Sequence, residues 1–372
     1  MTEATESRFS IATVLEWFTT TIGQIVAAII VPVVTGYVML QGFIFLRDGN
    51  APKYVIALVA ILWGVGGVAL IYFITNWLIE QLPGKWMGRL QPFLFVGPAI
   101  AILAWYLAIP TVRTFITSLK DRTGDEWVGL ANYVAVFTQR NMTITFRNNL
   151  LWIVFGATFS VLFGLLVAVL ADRSRFENFA KSMIFLPMAI SMVGAGVIWN
   201  FVYEVKEAGS AQIGLLNAIW VGLGGQPQAW TAMLQPWNNL FLIVIVIWLQ
   251  TGYAMVIFSA AIKGIPDELI EAARVDGATE VQVFFRIMIP YIMGTIITVA
   301  TTVVIFTLKI FDIVIVMTGG QFGTHVIATQ FYRQAFTNQN KGYASAIAIV
   351  LVILVIPVMV YNLRQFADEE AF

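Results

Sequence analysis

The sequence predicts an all-α integral membrane protein that crosses a bilayer about eight times. Three observations carry this. Hydrophobic residues make up 59% of the 372 positions and charged residues only 11%, against roughly 25% charged in an ordinary soluble domain. The apolar residues gather into runs of about the 20 residues that a spanning helix needs. The charged residues fall almost entirely in the connections between those runs.

In chain order the runs are Ile25–Leu46, Tyr54–Ile79, Phe93–Val112, Leu150–Ala171, Met183–Tyr203, Leu240–Ile262, Tyr291–Ile313 and Ala344–Tyr361. Only Tyr291–Ile313 contains charge, Lys309 and Asp312 near its far end. Glu3, Glu6, Arg8 and Glu16 precede the first run, which is too long for a signal-peptide core, so it is expected to remain in the membrane. Pro32, Pro98, Pro110, Pro187 and the cluster Gly64-Val65-Gly66-Gly67 interrupt the runs. Such residues serve either close helix packing or a functional hinge.

Composition also excludes chemistry. With no Cys and one His, His325, the chain offers no disulfide, no thiolate or His-cluster metal site and no Cys nucleophile. Its formal net charge of zero gives nucleic acid no electrostatic footprint. No phosphate loop of the G-x-x-x-x-G-K-[ST] type occurs, so any ATP chemistry must come from another chain.

The connections 120–147 and 204–236 are rich in Gly, Trp and polar residues, whereas 264–290 is charged and patterned. It runs Ile265-Pro266-Asp267-Glu268-Leu269-Ile270-Glu271-Ala272-Ala273-Arg274-Val275-Asp276-Gly277-Ala278-Thr279-Glu280 and ends Phe284-Phe285-Arg286-Ile287-Met288-Ile289-Pro290. Pro266 suits a first helical position, and Asp267, Glu268 and Glu271 complement the helix dipole. Gly277 can adopt the left-handed conformation that ends a helix. A second short helix is expected from Thr279 to Pro290, which opens the seventh span. The product is a helix, a sharp turn and a helix lying along the membrane face. Small Ala272, Ala273 and Ala278 would keep its surface low enough to enter a groove.

This stretch closely resembles the EAA loop of binding-protein-dependent ABC importer permeases. Glu271, Ala272, Ala273 and Gly277 match its start, with Asp276-Gly277-Ala278 as in the carbohydrate branch; Ile287, Ile289 and Pro290 match its end, Ile289 standing where Leu is usual. Val128-Gly129-Leu130-Ala131-Asn132-Tyr133, Ile213-Gly214-Leu215-Leu216-Asn217 and Met317-Thr318-Gly319-Gly320 look like the family's outer segments. Ala171-Asp172-Arg173, Phe185-Leu186-Pro187-Met188-Ala189-Ile190-Ser191 and Lys309-Ile310-Phe311-Asp312-Ile313-Val314 resemble the alpha-glucoside permeases. Importers of glucosylglycerol, sucrose and trehalose are similar as well. The likeness covers roughly residues 90–365.

The resemblance implies a non-catalytic subunit: half of a translocation path for an alpha-glucoside-type sugar or compatible solute such as maltose, trehalose, sucrose or glucosylglycerol. It implies a six-helix core plus two N-terminal helices. Residues 1–89 would hold a tail and those two helices, and 90–372 the permease body with the loop at 264–290. The implied partners are a second, homologous permease, two ABC ATPase subunits that bind ATP and Mg, a periplasmic or lipid-anchored sugar-binding protein, and membrane lipid. The loop, with both termini, would face the cytoplasm of a bacterial inner membrane. Basic residues divide almost evenly between the two sides, and those on the inner side lie closer to helix ends. Glu271 would pair with a basic residue of an ATPase, and Gly277 would permit the bend.

For the solute path, Gln250 and Thr307 fall at positions that contact sugar in the maltose permease, as do Met188, Met192 and Leu249 with different side chains. Ser191, Asn200 and Tyr253 add polar groups in spans five to seven. Each polar group has an alternative role as an interhelical hydrogen bond. Lys309 and Asp312, three apart, are expected on one helix face, either at an outer gate or as a structural pair. Trp220, Trp230 and Trp237 mark either an interfacial belt or a docking surface. The rival functions are a secondary transporter, for which Asp312 is the lone intramembrane carboxylate, and a membrane enzyme, for which no catalytic grouping occurs.

Overall fold

In the computed structural model, residues 11–80, 84–172 and 174–369 are described, with side chains over 29–80, 84–172 and 174–364. The expected N-terminal tail through Ser10, and Arg173, lie outside them. Among the described residues every regular element is helical, apart from an isolated Lys120–Trp127 bridge. Six helices are long and apolar enough to cross a bilayer, and two sharply bent helix pairs raise the number to eight if each is one span. The chain forms two compact units, Met1–Pro110 and Thr111–Phe372.

The first unit holds α1 (Ile11–Asp48), α2 (Lys53–Glu80) and most of α3 (Gly84–Ser118). Pro52, at φ −53° and ψ 141°, starts α2. Glycine makes the α1–α2 crossing close: a Cβ on Gly42 would strike the Trp63 ring, and one on Gly67 would strike Met39. The Trp63 indole donates to the Met39 carbonyl at 3.0 Å. Gly64 and Gly66 have open space around them and lie in a widened turn at Leu62–Gly66, so of the glycine cluster only Gly67 serves packing. The apolar flanks of these helices are largely exposed, as lipid-facing surfaces are.

The second unit is built on α9 (Trp237–Lys263), half of it buried. It packs against α5 (Arg140–Asp172), where a Cβ on Gly164 would come within 2.3 Å of that of Ala254. Small residues permit this approach where hydrophobic attraction between helices is weak. A short α4 (Ala131–Thr138) precedes α5. The fifth apolar run departs from expectation. It is not one helix but α6 (Glu177–Ala189) and α7 (Met192–Val202), bent by 103°. Pro187 lies in the last turn of α6, Ile190 is extended, and the Ser191 hydroxyl accepts from the Gly194 N–H at 3.0 Å to start α7 afresh.

After α8 (Leu215–Gly222) and α9, the patterned loop forms α10 (Asp267–Val275) and α11 (Glu280–Tyr291). A 70° bend leads to α12 (Met293–Leu308). The seventh span therefore ends at Leu308 rather than Ile313: Lys309 and Phe311 leave helical geometry, and α13 (Asp312–Thr318) begins at Asp312. This overturns the expectation that Lys309 and Asp312 share a helix face, and no ion pair joins them among the described residues. The chain closes with α14 (Ile327–Tyr332) and α15 (Lys341–Glu369).

Three buried clusters stack along α9. One, containing Trp152, Leu242, Ile245, Leu249, Ile313 and Val326, fills the end remote from α10. A second, with Ala168, Ala254, Phe258, Val299 and Val303, occupies the middle. The third, Ile265, Val283, Met288 and Ile292, lies beneath α10 and α11. Trp230 belongs to the first, only 8% exposed with its ring 4.9 Å from Phe241. It is a core residue, so the expected Trp belt is reduced to the exposed Trp220 and Trp237.

Candidate functional site

The helix–turn–helix at 266–291 is held by its own backbone. Gly277 has φ +84°, its N–H donates to the Arg274 carbonyl at 3.0 Å, and the Ala278 N–H donates to the Ala273 carbonyl at 2.9 Å. These two bonds satisfy the last carbonyls of α10 in the Schellman arrangement. Thr279 then opens α11 with a reciprocal capping box to Gln282. Across the turn the Arg274 Nε donates to Glu280 Oε1 at 2.9 Å, and this carboxylate holds the guanidinium more firmly charged. The turn is thus a preset bend rather than a flexible link.

The two faces of α10 differ. Ile270, Ala273 and Ala278 turn inward onto the third cluster. Glu268, Glu271, Ala272, Val275, Asp276 and Gly277 are exposed. Ala273 and Ala278 therefore belong to the support and Ala272 to the outer face, which corrects the expectation that all three lower the docking surface. Glu271 makes no hydrogen bond or ion pair among the described residues. Val275 is 87% exposed, an apolar group presented outward beside acidic ones. Pro290 lies in the last turn of α11, just before the bend into α12.

The expected path residues are scattered over several environments. Met188 and Ser191 are exposed at the break between α6 and α7, with Met192 half-buried against the first cluster. Leu249 is a core residue. Gln250 beside it is only 9% exposed, and its amide makes no hydrogen bond among the described residues. Tyr253 is half-buried on the next turn. Thr307 is fully buried and its hydroxyl bonds the Val303 and Val304 carbonyls of its own helix at 3.0 Å each. Asn200 is exposed on α7. Lys309 is exposed, and Asp312 stands in the first turn of α13, where the helix dipole favours it.

One polar grouping was not expected. Asn148 and Asn149 on α5, Asn238 and Asn239 on α9 are all buried. Asn148 donates to the carbonyls of Gly323 (2.7 Å) and His325 (2.9 Å), and Asn238 to that of Phe322 (2.8 Å). Asn149 donates to the Leu308 carbonyl at 3.0 Å and accepts from the Ile327 N–H at 2.7 Å. Asn148 and Asn238 hold the loop between α13 and α14, where Gly319, Gly320, Phe322 and Gly323 all have positive φ; Asn149 holds the start of α14, and Asn239 braces Asn148 and Asn238. Two Asn-Asn pairs at the mouths of apolar runs were the available signal, because amides at such depth must find partners. His325 in that loop sits between Thr329 (Nδ1 to Oγ1, 3.2 Å) and Arg333 (3.3 Å from Nε2). Burial, and then the Arg333 charge, hold its imidazole down to about 4.

The chain is similar to known proteins over most of its length. The model of the family described as binding-protein-dependent transport system inner membrane component matches residues 160–368. The osmoprotective compounds uptake permease protein GgtC of Synechocystis sp. is 52% identical over 277 residues, covering 74% of this chain and 99% of that protein. The alpha-glucoside transport system permease protein AglF of Rhizobium meliloti is 49% identical over 283 residues, covering 76% of this chain and 84% of its own length. A chain in the crystal structure of a bacterial ABC transporter involved in the import of the acidic polysaccharide alginate shares the fold. Its TM-score is 0.64 at 20% identity, over 76% of this chain and 99% of that one.

Proposed function

The chain belongs to the binding-protein-dependent transport system inner membrane components, and from that premise we propose that it is the permease subunit of an ATP-driven importer of alpha-glucoside-type sugars or compatible solutes. Trehalose, sucrose, maltose and glucosylglycerol define the class. GgtC and AglF, named for osmoprotective compounds and alpha-glucosides, support this solute choice. The subunit is non-catalytic. A second permease completes the path, two ATPase subunits bind ATP and Mg and hydrolyse the nucleotide, and a binding protein delivers the solute. Residues 1–89 are read as an extension of the permease body at 90–372. The α10–α11 end faces the cytoplasm of a bacterial inner membrane, with both termini on that side.

The observation that carries the reading is the preset bend at Gly277 with Glu271 unpartnered on its exposed face. A docking helix must transmit force without deforming, and the Schellman bonds, the capping box and the Arg274–Glu280 bridge all resist deformation. A free carboxylate on such a face suits a basic partner. Glu271→Ala in the reconstituted transporter is expected to abolish solute uptake while ATP hydrolysis continues, with normal insertion of the chain. Uptake equal to the parent would refute the role of Glu271. Uptake by the isolated chain without an ATPase would refute the reading as a whole and favour a secondary transporter.

A further inference from the structure

At the α10–α11 end, four charges gather where three helices converge. Lys181 on α6 pairs with Asp172 at the end of α5, and with Glu177 one turn back at 2.5 Å. Lys263 at the end of α9 pairs with the same Glu177. Ser259 on α9 joins the group, donating to Asp172 Oδ1 at 2.8 Å and accepting from Lys181. The Lys181 and Asp172 side chains are 17% and 13% exposed. The two acids and two bases cancel, which suits a group held at the edge of a bilayer.

The position of the cluster gives it a meaning beyond charge balance. It fastens α6 to both α5 and α9. A second fastening lies further along α6, where a Cβ on Gly252 of α9 would fall 2.6 Å from the Ile184 carbonyl. Next along α6 comes the break at Pro187–Ser191. On its other side the cluster borders α10 and α11. A cavity of about 490 Å³ is lined by Asp172 and Lys263 from the cluster and by Asp267, Arg274 and Glu280 from the helix pair. The apolar contacts of the third cluster, and a bond from the Tyr291 hydroxyl to the Gly264 carbonyl at 3.5 Å, join the helix pair to the inner end of α9. One oxygen of Asp172, Oδ2, is buried without a hydrogen bond, which leaves the ion cluster one donor short of saturation.

We infer that Lys181, with Asp172, Glu177, Ser259 and Lys263, is a positioning cluster. It makes α6 move with the inner ends of α5 and α9, so that displacement of α10–α11 reaches the broken span. This rests on the importer reading above. The cluster touches neither nucleotide nor solute, and its loss therefore separates two quantities that move together in the parent.

The test uses the complete transporter, with partner permease, ATPase subunits and binding protein, in proteoliposomes. Uptake of labelled trehalose and ATP hydrolysis are measured on the same vesicles. Lys181→Met is expected to lower uptake per ATP by at least about fivefold, the low end of ordinary coupling between sites, while hydrolysis persists and Lys181→Arg retains the parental ratio. Ser259→Ala keeps all four charges and is expected to lower the ratio in the same direction, and it decides the matter if Lys181→Met fails to insert. An unchanged ratio in both Lys181→Met and Ser259→Ala overturns the inference and leaves the importer reading intact. So does a parallel fall of uptake and hydrolysis, the mark of a merely structural role. Parental vesicles that accumulate trehalose without ATP would overturn the importer reading and this inference with it.

Discussion

Replacing Gly277 separates backbone conformation from surface fit. Gly277 has φ +84°, and nothing lies within 4 Å of the place where a Cβ would go. Alanine there meets no clash, so its cost is the torsional one alone. An ordinary L-residue in left-handed geometry loses about 1–2 kcal/mol, equivalent to about a 5–30-fold shift against the bent form. Asparagine tolerates this region better than alanine, although it is the larger side chain. If Gly277 serves the bend, the order of function is Gly, then Asn, then Ala, then Val. If it serves close approach of a partner, Ala outranks Asn. Hydrogen exchange gives a direct reading: the Ala278 N–H, bonded to the Ala273 carbonyl at 2.9 Å, opens with the turn. Its exchange is expected to quicken about 5–30-fold in Gly277→Ala and less in Gly277→Asn, with uptake per ATP falling in the same order. A Gly277→Asn variant worse than Gly277→Ala in both measurements would refute the conformational explanation.

Other residues give further tests. Asn149→Ala orphans the Ile327 N–H and the Leu308 carbonyl, at about 1–3 kcal/mol for each buried group, so thermal unfolding of the purified chain should occur well below the parent's; an unchanged midpoint would show that this amide does not hold the start of α14. His325 is neutral in the fold, with its ionisation lowered from 6.5 to about 4. The unfolded chain therefore binds the extra proton first, and stability is lost as pH falls from 6.5 towards 4; melting between pH 7.5 and 5 should decline more steeply in the parent than in His325→Gln. Thr307→Val, which removes a hydroxyl spent on its own helix, is expected to leave the uptake KM unchanged, whereas Gln250→Leu raises it; the reverse order would return Thr307 to the solute path.

The spans were legible because apolar length is a local property: every expected run overlaps an observed helix or bent pair, although several helices run on past the expected ends by more than a turn. The loop at 264–290 was legible for the same reason. Pro266, Gly277 and Thr279 act on neighbouring backbone, and the structure places a helix start, a left-handed turn and a capping box at those three positions. The inward phase of Ile270 and Ala273 was also open to reading from their three-residue spacing. What was hidden depends on distant parts of the chain. Pro187 alone does not announce a 103° bend, since membrane helices accommodate proline. The Asn148 and Asn149 amides point to a loop and a helix start more than 170 residues away in sequence. Lys309 and Asp312 resemble a helical pair until the chain leaves the helix between them.

The break in the fifth span bears on where solute contacts can lie. Non-helical backbone at membrane depth must either be satisfied by protein or line a wet cavity. Here the break satisfies part of itself. The Ile190 N–H reaches the Pro187 carbonyl at 3.1 Å, the Ala195 N–H reaches the Ser191 carbonyl at 2.8 Å, and the Gly194 N–H takes the Ser191 hydroxyl. Ser191 is therefore committed to the bend, as Thr307 is committed to α12. Of the expected polar contacts in the middle of the body, Gln250 is the buried residue whose amide keeps its hydrogen-bonding capacity unspent among the described residues. A bend braced by these bonds can act as a stiff elbow. Fastened to α5 and α9 at its charged end, such an elbow would carry movement of α10–α11 to the residues around Gln250 without itself having to bind what passes.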